Sequence, residues 1–471
     1  MKNMTLLQIA KACSGQLNCD ELQDQREVQS VVLDSRRAEQ DCLFIATVGE
    51  RVDGHDFIDQ VFDKGALAVI CEKAPASARG PYILVENSFA ALKDIATWYR
   101  MQLDLKVVGI TGSVGKTSTK EFISSVLSQK YHVLKTEGNF NNEIGMPLTI
   151  LKIRDEHQIA VLEMGISDFG EMHRLSEIAK PDICVITNIG QCHLENLGSR
   201  EGILKAKTEI FDFMSDDGAV CINGDDDLLA TIREVKGRQP LRFGFRTSND
   251  FFASDIITHG LFGSSCNIRT NYGGVFPADV PLPGGHMVLN ALAATAVGSL
   301  LGVSEDAIRE GIKRVLPVGG RSNIIAREQL TIIDDCYNAN PVSMKAAIDL
   351  LKMADTNKVA ILGDMFELGS REKELHRDVG AYAASGGLHL IICVGTLSYH
   401  MYEGADEILR SCSLEDEKSD TLLYYFETRD ELIKALPNLI HSQDTVLIKA
   451  SHGMAFEIVV NSLLSSDSFI K

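Results

Sequence analysis

The sequence predicts an α/β protein of three domains, and three observations carry that expectation. Its 471 residues exceed what a single hydrophobic core usually supports, since one domain takes roughly 150 residues. From about Lys106 onward, short apolar runs alternate with helical stretches. That is the pattern of parallel strands buried on both faces. The rhythm then starts afresh after "VLPVGGRSN" (315–323). Boundaries are placed near residues 104 and 316, giving segments 1–104, 105–316 and 317–471.

The elements follow in order. "MKNMTLLQIAKACSG" reads as a short amphipathic helix, without the apolar stretch and small-residue cleavage site of a signal peptide. "DCLFIATVGE", "ALAVICE" and "PYILVEN" read as short strands between helices, with no phosphate-binding loop among them. "KVVGI" is the first strand of the middle segment and runs into "GITGSVGKTSTKE" (109–121). "IAVLEMG" ends at Glu163, "ICVITNIG" at Thr187 and Asn188, and "AVCINGDDD" at Asn223 and Asp225. "LTIIDDCYNANP", "VAILGDMFELG", "LIICVGT" and "TVLIKASHG" repeat the pattern in the last segment. In open sheets of this kind ligands bind just beyond the carboxyl ends of the strands, where these polar residues fall.

Composition narrows the function. Sixty-five acidic against 46 basic residues give a net charge of -19, which argues against nucleic acid or stable insertion in an anionic membrane as partners. The 11 cysteines are scattered singly with no CxxC pair, as expected for reduced thiols in a cytoplasmic protein. The longest weakly polar run, Ala291 to Val303, is too short to span a bilayer.

The glycine loop carries the first chemistry. Gly112 and Gly115 let the backbone turn so that successive N–H groups, with Ser113 and Ser118 beside them, face phosphate oxygens. Lys116 would reach the terminal phosphates and the Thr117 hydroxyl would ligate magnesium. Phe122, Ile123, Val126 and Leu127 then recur at helical spacing, so a helix N-terminus faces the same phosphates. The usual pattern has glycine five residues before Gly115, whereas this chain has Ile110. Glu163 at a strand end could hold magnesium or be a solvated carboxylate. His193 could be a metal ligand or a satisfied surface histidine. Lys205 and Lys207 could be ordinary exposed lysines on a helix.

Taken together, "TGSVGKTSTKE", "EGNFNNEIGMPLTIL", "EMGISDFGEM", "TNIGQCHLENLGS", "KAKTEIF" and "NGDDD", in that order, resemble the central ATPase domain of the muramyl-peptide ligases. These are the amide-forming enzymes of peptidoglycan synthesis. "LDSRRAEQDCLFIATVGERVDGHDFI", "DDCYNANPVSMKAAI" and "VAILGDMFELG" resemble the branch that adds D-alanyl-D-alanine to UDP-N-acetylmuramoyl-tripeptide. The resemblance runs through essentially the whole chain. It implies a small N-terminal αβ domain for the uridine nucleotide, a central P-loop parallel-sheet domain for ATP, and a Rossmann-like C-terminal αβ domain. It also implies a cytoplasmic monomer.

The resemblance assigns roles residue by residue. Lys207 matches the family's carbamylated lysine, a neutral amine that takes up carbon dioxide and then ligates magnesium. His193, Glu163 and Thr117 match the other ligands of two Mg2+ ions. Asn139, Asn141 and Asn142 match the asparagine-rich loop beside the phosphates; their ordinary alternative is turn chemistry. Asn290, four residues after His286 on one helix face, matches the adenine contact, and Arg321 an arginine near the phosphates on domain closure. Asp335, Asn338 and Asn340 match the region facing ATP and the incoming amine. Ser35 and Arg36 match the uridine-diphosphate contacts, for which an arginine fork suits a diphosphate. One segment departs: where the family reads lysine-glycine-serine-arginine, this chain has "KASHG", with Ala450 and His452 in place of glycine and arginine.

The chemistry implied is transfer of the ATP γ-phosphoryl to a substrate carboxylate, making an acyl phosphate that an amine attacks. Lys116 and the metal ions would offset the charge of two approaching anions. The rival readings are another amino-acid ligase of this type, including a folylpolyglutamate-type enzyme, a nucleotide switch or motor, and a non-catalytic nucleotide-binding module.

Overall fold

The computed structural model describes residues 1, 3–20, 23–49, 52–77, 79–414 and 420–465. Glu50 and Arg51, inside the N-terminal segment quoted above, and the Cys412 side chain lie outside that description. Three sheets organise the chain, with strands drawn from residues 16–84, 106–280 and 323–449.

The N-terminal sheet runs in the order Gln16–Asn18, Tyr82–Leu84, Ala68–Cys71, Cys42–Ile45, Ser30–Val32. Only the first pair is antiparallel. The helix expected at the start is Leu6–Ala12, opened by a Thr5–Gln8 capping box and buried through Leu6, Ile9 and Ala10.

The central sheet has nine strands. At its middle Lys106–Thr111 lies between Ile159–Glu163 and Ile183–Ile186, all parallel. Three polar strand ends therefore emerge side by side. Successive residues of these strands serve opposite faces: Val107 and Leu162 join one apolar cluster, Val108 and Val161 the other. The second cluster packs the strands against the helices Lys116–Leu127, Gly285–Leu300 and Glu305–Lys313 through Phe122, Ile123, Val126, Val288, Leu292 and Ile308.

The first cluster is continuous with the N-terminal domain, joining Leu6, Ile9 and Ile45 to Leu162 and Ile186 through Leu92, Ile95 and Tyr99 of the helix Ser88–Arg100. Tyr99 Oη also donates to the Ile153 carbonyl at 2.7 Å, and Arg100 Nε to that of Ala179 at 3.0 Å. The first two domains thus share a core.

The sheet goes beyond the expected parallel pattern. Phe251–Thr258, Ser264–Arg269 and Val275–Val280 extend it, the last two antiparallel. Val275–Val280 alternates exposed and buried residues strictly, so this is a half-solvated edge rather than a doubly buried strand.

The C-terminal sheet runs Asn323–Ala326, Leu330–Asp334, Asp444–Lys449, Asn357–Gly363, Leu390–Val394, Leu422–Phe426, with only the first strand antiparallel. It has its own apolar clusters on its two faces. Among the described residues ten cysteines are free thiols, nine of them buried. Burial pushes Cys221 and Cys393 up to about 12, so these thiols are inert. Among the described residues no helix is long and apolar enough to cross a membrane.

Candidate active site

The glycine loop sits at the end of the strand Lys106–Thr111 and before the helix Lys116–Leu127. Gly112 has φ +150°, and a Cβ there would lie 1.9 Å from Thr187 Oγ1. Gly115, at φ +80°, is the last residue before the helix. Both positions therefore require glycine. Ile110 is wholly buried strand, so the turn here begins two residues later than the usual pattern has it. The neighbouring strand end braces the loop. Asn188 Oδ1 accepts from Val114 N at 3.0 Å, and its Nδ2 donates to the Val114 carbonyl at 3.0 Å. Thr187 Oγ1 donates to the same carbonyl at 2.6 Å, and Ser113 Oγ accepts from Gly190 N at 2.8 Å. Lys116 Nζ folds over the loop and donates to the Gly112 carbonyl at 2.8 Å. Burial lowers its pKa, and an anion placed beside it would favour the charged amine.

Glu163 ends the adjacent strand and is wholly buried, yet each oxygen is engaged. Oε2 accepts from Thr117 Oγ1 at 2.9 Å and Oε1 from Asn141 Nδ2 at 2.8 Å. Lys120 Nζ stands 3.9 Å from Oε2 and 3.2 Å from Glu121, and donates to the Thr136 carbonyl at 2.7 Å. Lys120 is also buried. Its position in the helix gave no sign of this, since Glu163 and Thr136 come from other elements and only Glu121 is its neighbour in the helix. The asparagine-rich loop reaches this cluster through Asn141. Asn142 Oδ1 accepts from Ile144 N at 3.2 Å and Gly145 N at 2.9 Å, in the turn before the helix Gly145–Ile150. Asn139 is exposed and only its carbonyl is used, by Asn141 N.

His193 begins the short helix Leu194–Leu197 with φ +53°. Its Nδ1 lies 2.5 Å from Oε2 of Glu367, from the C-terminal domain, out of line for a hydrogen bond. Lys207 lies in the helix Arg200–Thr208 and is 1% exposed, not a solvated lysine. Burial lowers its amine to about 8; Lys116 lowers it further and Cys192 raises it.

A cleft of about 1000 Å³ opens over these groups, at the upper end of small-molecule sites. Ser113, Gly115, Lys116 and Ser118 line one wall, with Glu163, His193 and Asn290. Arg321, Asp335, Asn338 and Asn340 line the other. Gly112, Thr117 and Lys207 lie behind the wall; Asn139, Ser35 and Arg36 do not line the cleft either. Ser35–Arg37 is a single turn capped by Asp34, and the exposed Arg36 spends its guanidinium on Asp34 at 2.8 and 2.9 Å.

Several expected contacts are already committed within the protein. Asn290 Oδ1 accepts from Thr119 Oγ1 at 2.8 Å, tying its helix to the phosphate-loop helix. Burial lowers the pKa of His286, one turn earlier. Asn340 caps the helix Pro341–Lys352 in a reciprocal pair with Ser343, followed by proline at the first turn. Asp335 holds Lys449 Nζ at 2.6 Å and Ser322 N at 2.9 Å. Arg321 lies 4.0 Å over the Tyr337 ring, whose neighbour 5.5 Å away is the His452 ring. His452, one of the two departures expected from the sequence, is thus an aromatic neighbour, and Ala450 is buried beside Gly363. Glu367, Tyr337, Lys120 and Lys449 are the groups that reading the sequence did not assign.

Similarity to known proteins extends through the whole chain. Three family models match: Mur ligase family, catalytic domain (27–100), Mur ligase middle domain (110–298), and Mur ligase, glutamate ligase domain (320–452). The UDP-N-acetylmuramoyl-tripeptide--D-alanyl-D-alanine ligase of Bacillus subtilis (strain 168) is 37% identical over 471 residues, 99% of each chain. The crystal structure of MurF from Acinetobacter baumannii is similar at a TM-score of 0.88 and 34% identity, covering 98% of this chain and 99% of that one. MurF ligase from Thermotoga maritima, in complex with ADP, is similar at 0.79 and 31%, covering 92% and 97%. With this identity maintained end to end, the chain belongs to the Mur ligase family.

Proposed function

We propose that this chain is the ATP-dependent ligase that joins D-alanyl-D-alanine to UDP-N-acetylmuramoyl-tripeptide in the making of peptidoglycan precursor. The observation that carries the reading is similarity to ligases of that reaction through all three domains, rather than through the nucleotide-binding segment alone. A switch or motor would share only that segment. We take residues 1–104 as the uridine-nucleotide domain, 105–316 as the ATP domain and 317–471 as the ligase domain, in a monomeric cytoplasmic enzyme.

A carboxylate does not condense with an amine in neutral water, because its oxygen is a poor leaving group. Passing the ATP γ-phosphoryl to the carboxylate gives an acyl phosphate; the dipeptide amine attacks it and phosphate leaves. The chain's part is positioning and charge. The backbone N–H groups of Gly115 and Lys116 face the β- and γ-phosphates, while those of Ser113 and Val114 are held by Asn188. Lys116 exchanges the Gly112 carbonyl for phosphate oxygens. Asn290 stands at the adenine side, and Asn141 serves the loop that Asn139 begins. Arg321, held by Tyr337, approaches the phosphates from the C-terminal domain together with Asp335 and Asn338, while Asn340 fixes the helix start. Ser35 and Arg36 take the uridine diphosphate, Arg36 leaving Asp34 to do so. Closure of the two walls excludes water from the acyl phosphate.

No group of three or more His, Cys, Asp or Glu side chains among the described residues forms a metal cage. Mg2+ does not require one, since it keeps waters and substrate phosphates in its shell. Thr117 and Glu163 would hold one such ion, and His193 with a Lys207 carbamate would hold a second. The lowered amine of Lys207 supports the carbamate, because only neutral amine takes up carbon dioxide. Bound magnesium supplies positive charge against the phosphate oxygens. The test is incubation with ATP, UDP-N-acetylmuramoyl-tripeptide and D-alanyl-D-alanine, with products weighed by mass spectrometry. A dipeptide-extended nucleotide is expected only when all three are present; phosphate release with ATP alone would overturn the reading.

A further inference from the structure

His193 does not meet the C-terminal domain by chance alignment of one side chain. Leu194, the next residue, packs against the C-terminal apolar cluster that contains Met365 and Leu368. A Cβ on Gly369 would come within 3.3 Å of the Glu195 backbone, so the two segments are in tight contact there. Between these contacts Glu367 Oε2 stands 2.5 Å from His193 Nδ1. Both residues hold left-handed backbone, at φ +60° and +53°, a conformation that costs non-glycine residues energy and persists where surroundings enforce it. The Glu367 loop is itself pinned. Met365 N donates to His376 Nε2 at 3.0 Å and Phe366 N to Ser451 Oγ at 2.9 Å. His193 Nδ1 is buried without a hydrogen-bond partner, and a slight turn of either side chain would give it one.

We propose that Glu367 is a positioning residue for His193: its carboxylate takes the Nδ1–H, fixing the tautomer that leaves Nε2 for a metal ion. The orienting carboxylate comes from a different domain than the ligand. Metal binding is therefore coupled to docking of the C-terminal loop, and the metal would hold the two domains together as well as neutralise charge. Carboxylate partners of ligating histidines fix ring orientation and raise basicity in this way. The inference rests on the proposal that His193 ligates metal.

The test is Mn2+ binding, followed by electron paramagnetic resonance with a non-hydrolysable ATP analogue, in the full-length protein and the variants Glu367→Ala, Glu367→Gln and His193→Ala. Glu367→Ala is expected to weaken one of the bound ions by about tenfold or more, with an unchanged thermal midpoint. Glu367→Gln, which still accepts a hydrogen bond, should recover part of that loss. Glu367→Ala binding Mn2+ as tightly as the parent, while His193→Ala does not, would overturn the coupling and leave the metal assignment standing. Parental binding in His193→Ala would overturn both.

Discussion

The Thr117 hydroxyl donates to Glu163 Oε2 at 2.9 Å, linking the first turn of the phosphate-loop helix to the end of the neighbouring strand. Both side chains are buried, so the pair is assembled before nucleotide arrives. Thr117→Val keeps the shape and removes the donor. Losing a hydrogen bond to a charged group costs about 1.5–3 kcal/mol, and a proposed magnesium ligand goes with it. Turnover should fall by at least about tenfold with a raised KM for Mg–ATP, as an altered metal site requires. Steady-state kinetics over a magnesium series checks this, and unchanged constants would remove Thr117 from the metal site.

Asn188 grips Val114 from both sides, as donor and as acceptor. Asn188→Ala frees the centre of the loop and leaves the part-buried Val114 N–H without its partner, while the carbonyl keeps the Thr187 hydroxyl; the loss is about 1 kcal/mol. The KM for ATP should rise more than kcat falls, because the loop remains but no longer holds one shape. Nucleotide titration by calorimetry, alongside urea unfolding, separates the two effects.

Lys207 is expected to be needed as an anion rather than as a cation. Lys207→Ala should be inactive and should regain part of its activity in small carboxylic acids, which can occupy the space of a carbamate. Activity measured across an acetate or formate series checks it. Full activity without added acid would dismiss the carbamate.

His376 makes a pH-dependent contribution to stability. Its Nδ1 lies 2.6 Å from the Glu372 carbonyl and its Nε2 accepts from Met365 N at 3.0 Å, an arrangement open only to the neutral ring. Burial lowers its pKa below the ordinary 6.5. The folded state therefore binds fewer protons than the unfolded chain in that window, and stability rises with pH there. The contribution is complete above 6.5 and is lost as pH falls, with a slope of at most about 1.4 kcal/mol per pH unit. Urea unfolding between pH 5 and 7.5 should show this slope, and His376→Gln should flatten it.

Much of this was legible in the sequence because it is local. Buried strands announce themselves as unbroken apolar runs, and Gly112, Gly115, Lys116 and Thr117 lie within one turn and one helix start. The strands Ser264–Arg269 and Val275–Val280 at one end of the central sheet alternate instead, and Pro277 interrupts the second, so they escape a pattern tuned to doubly buried strands. The pairs that shape the site join distant residues. Lys449 meets Asp335 across a parallel sheet, and Glu367 meets His193 across a domain boundary. Spacing cannot show either. "NANP" was legible as a motif but not as a helix cap, because the same residues serve both uses.

The central claim is that phosphate passes to a substrate carboxylate. The most direct measurement uses UDP-N-acetylmuramoyl-tripeptide labelled with oxygen-18 in the carboxyl group that is coupled. Inorganic phosphate released during ligation should carry one labelled oxygen per dipeptide joined. Phosphate free of label, with ligation proceeding, would contradict the account.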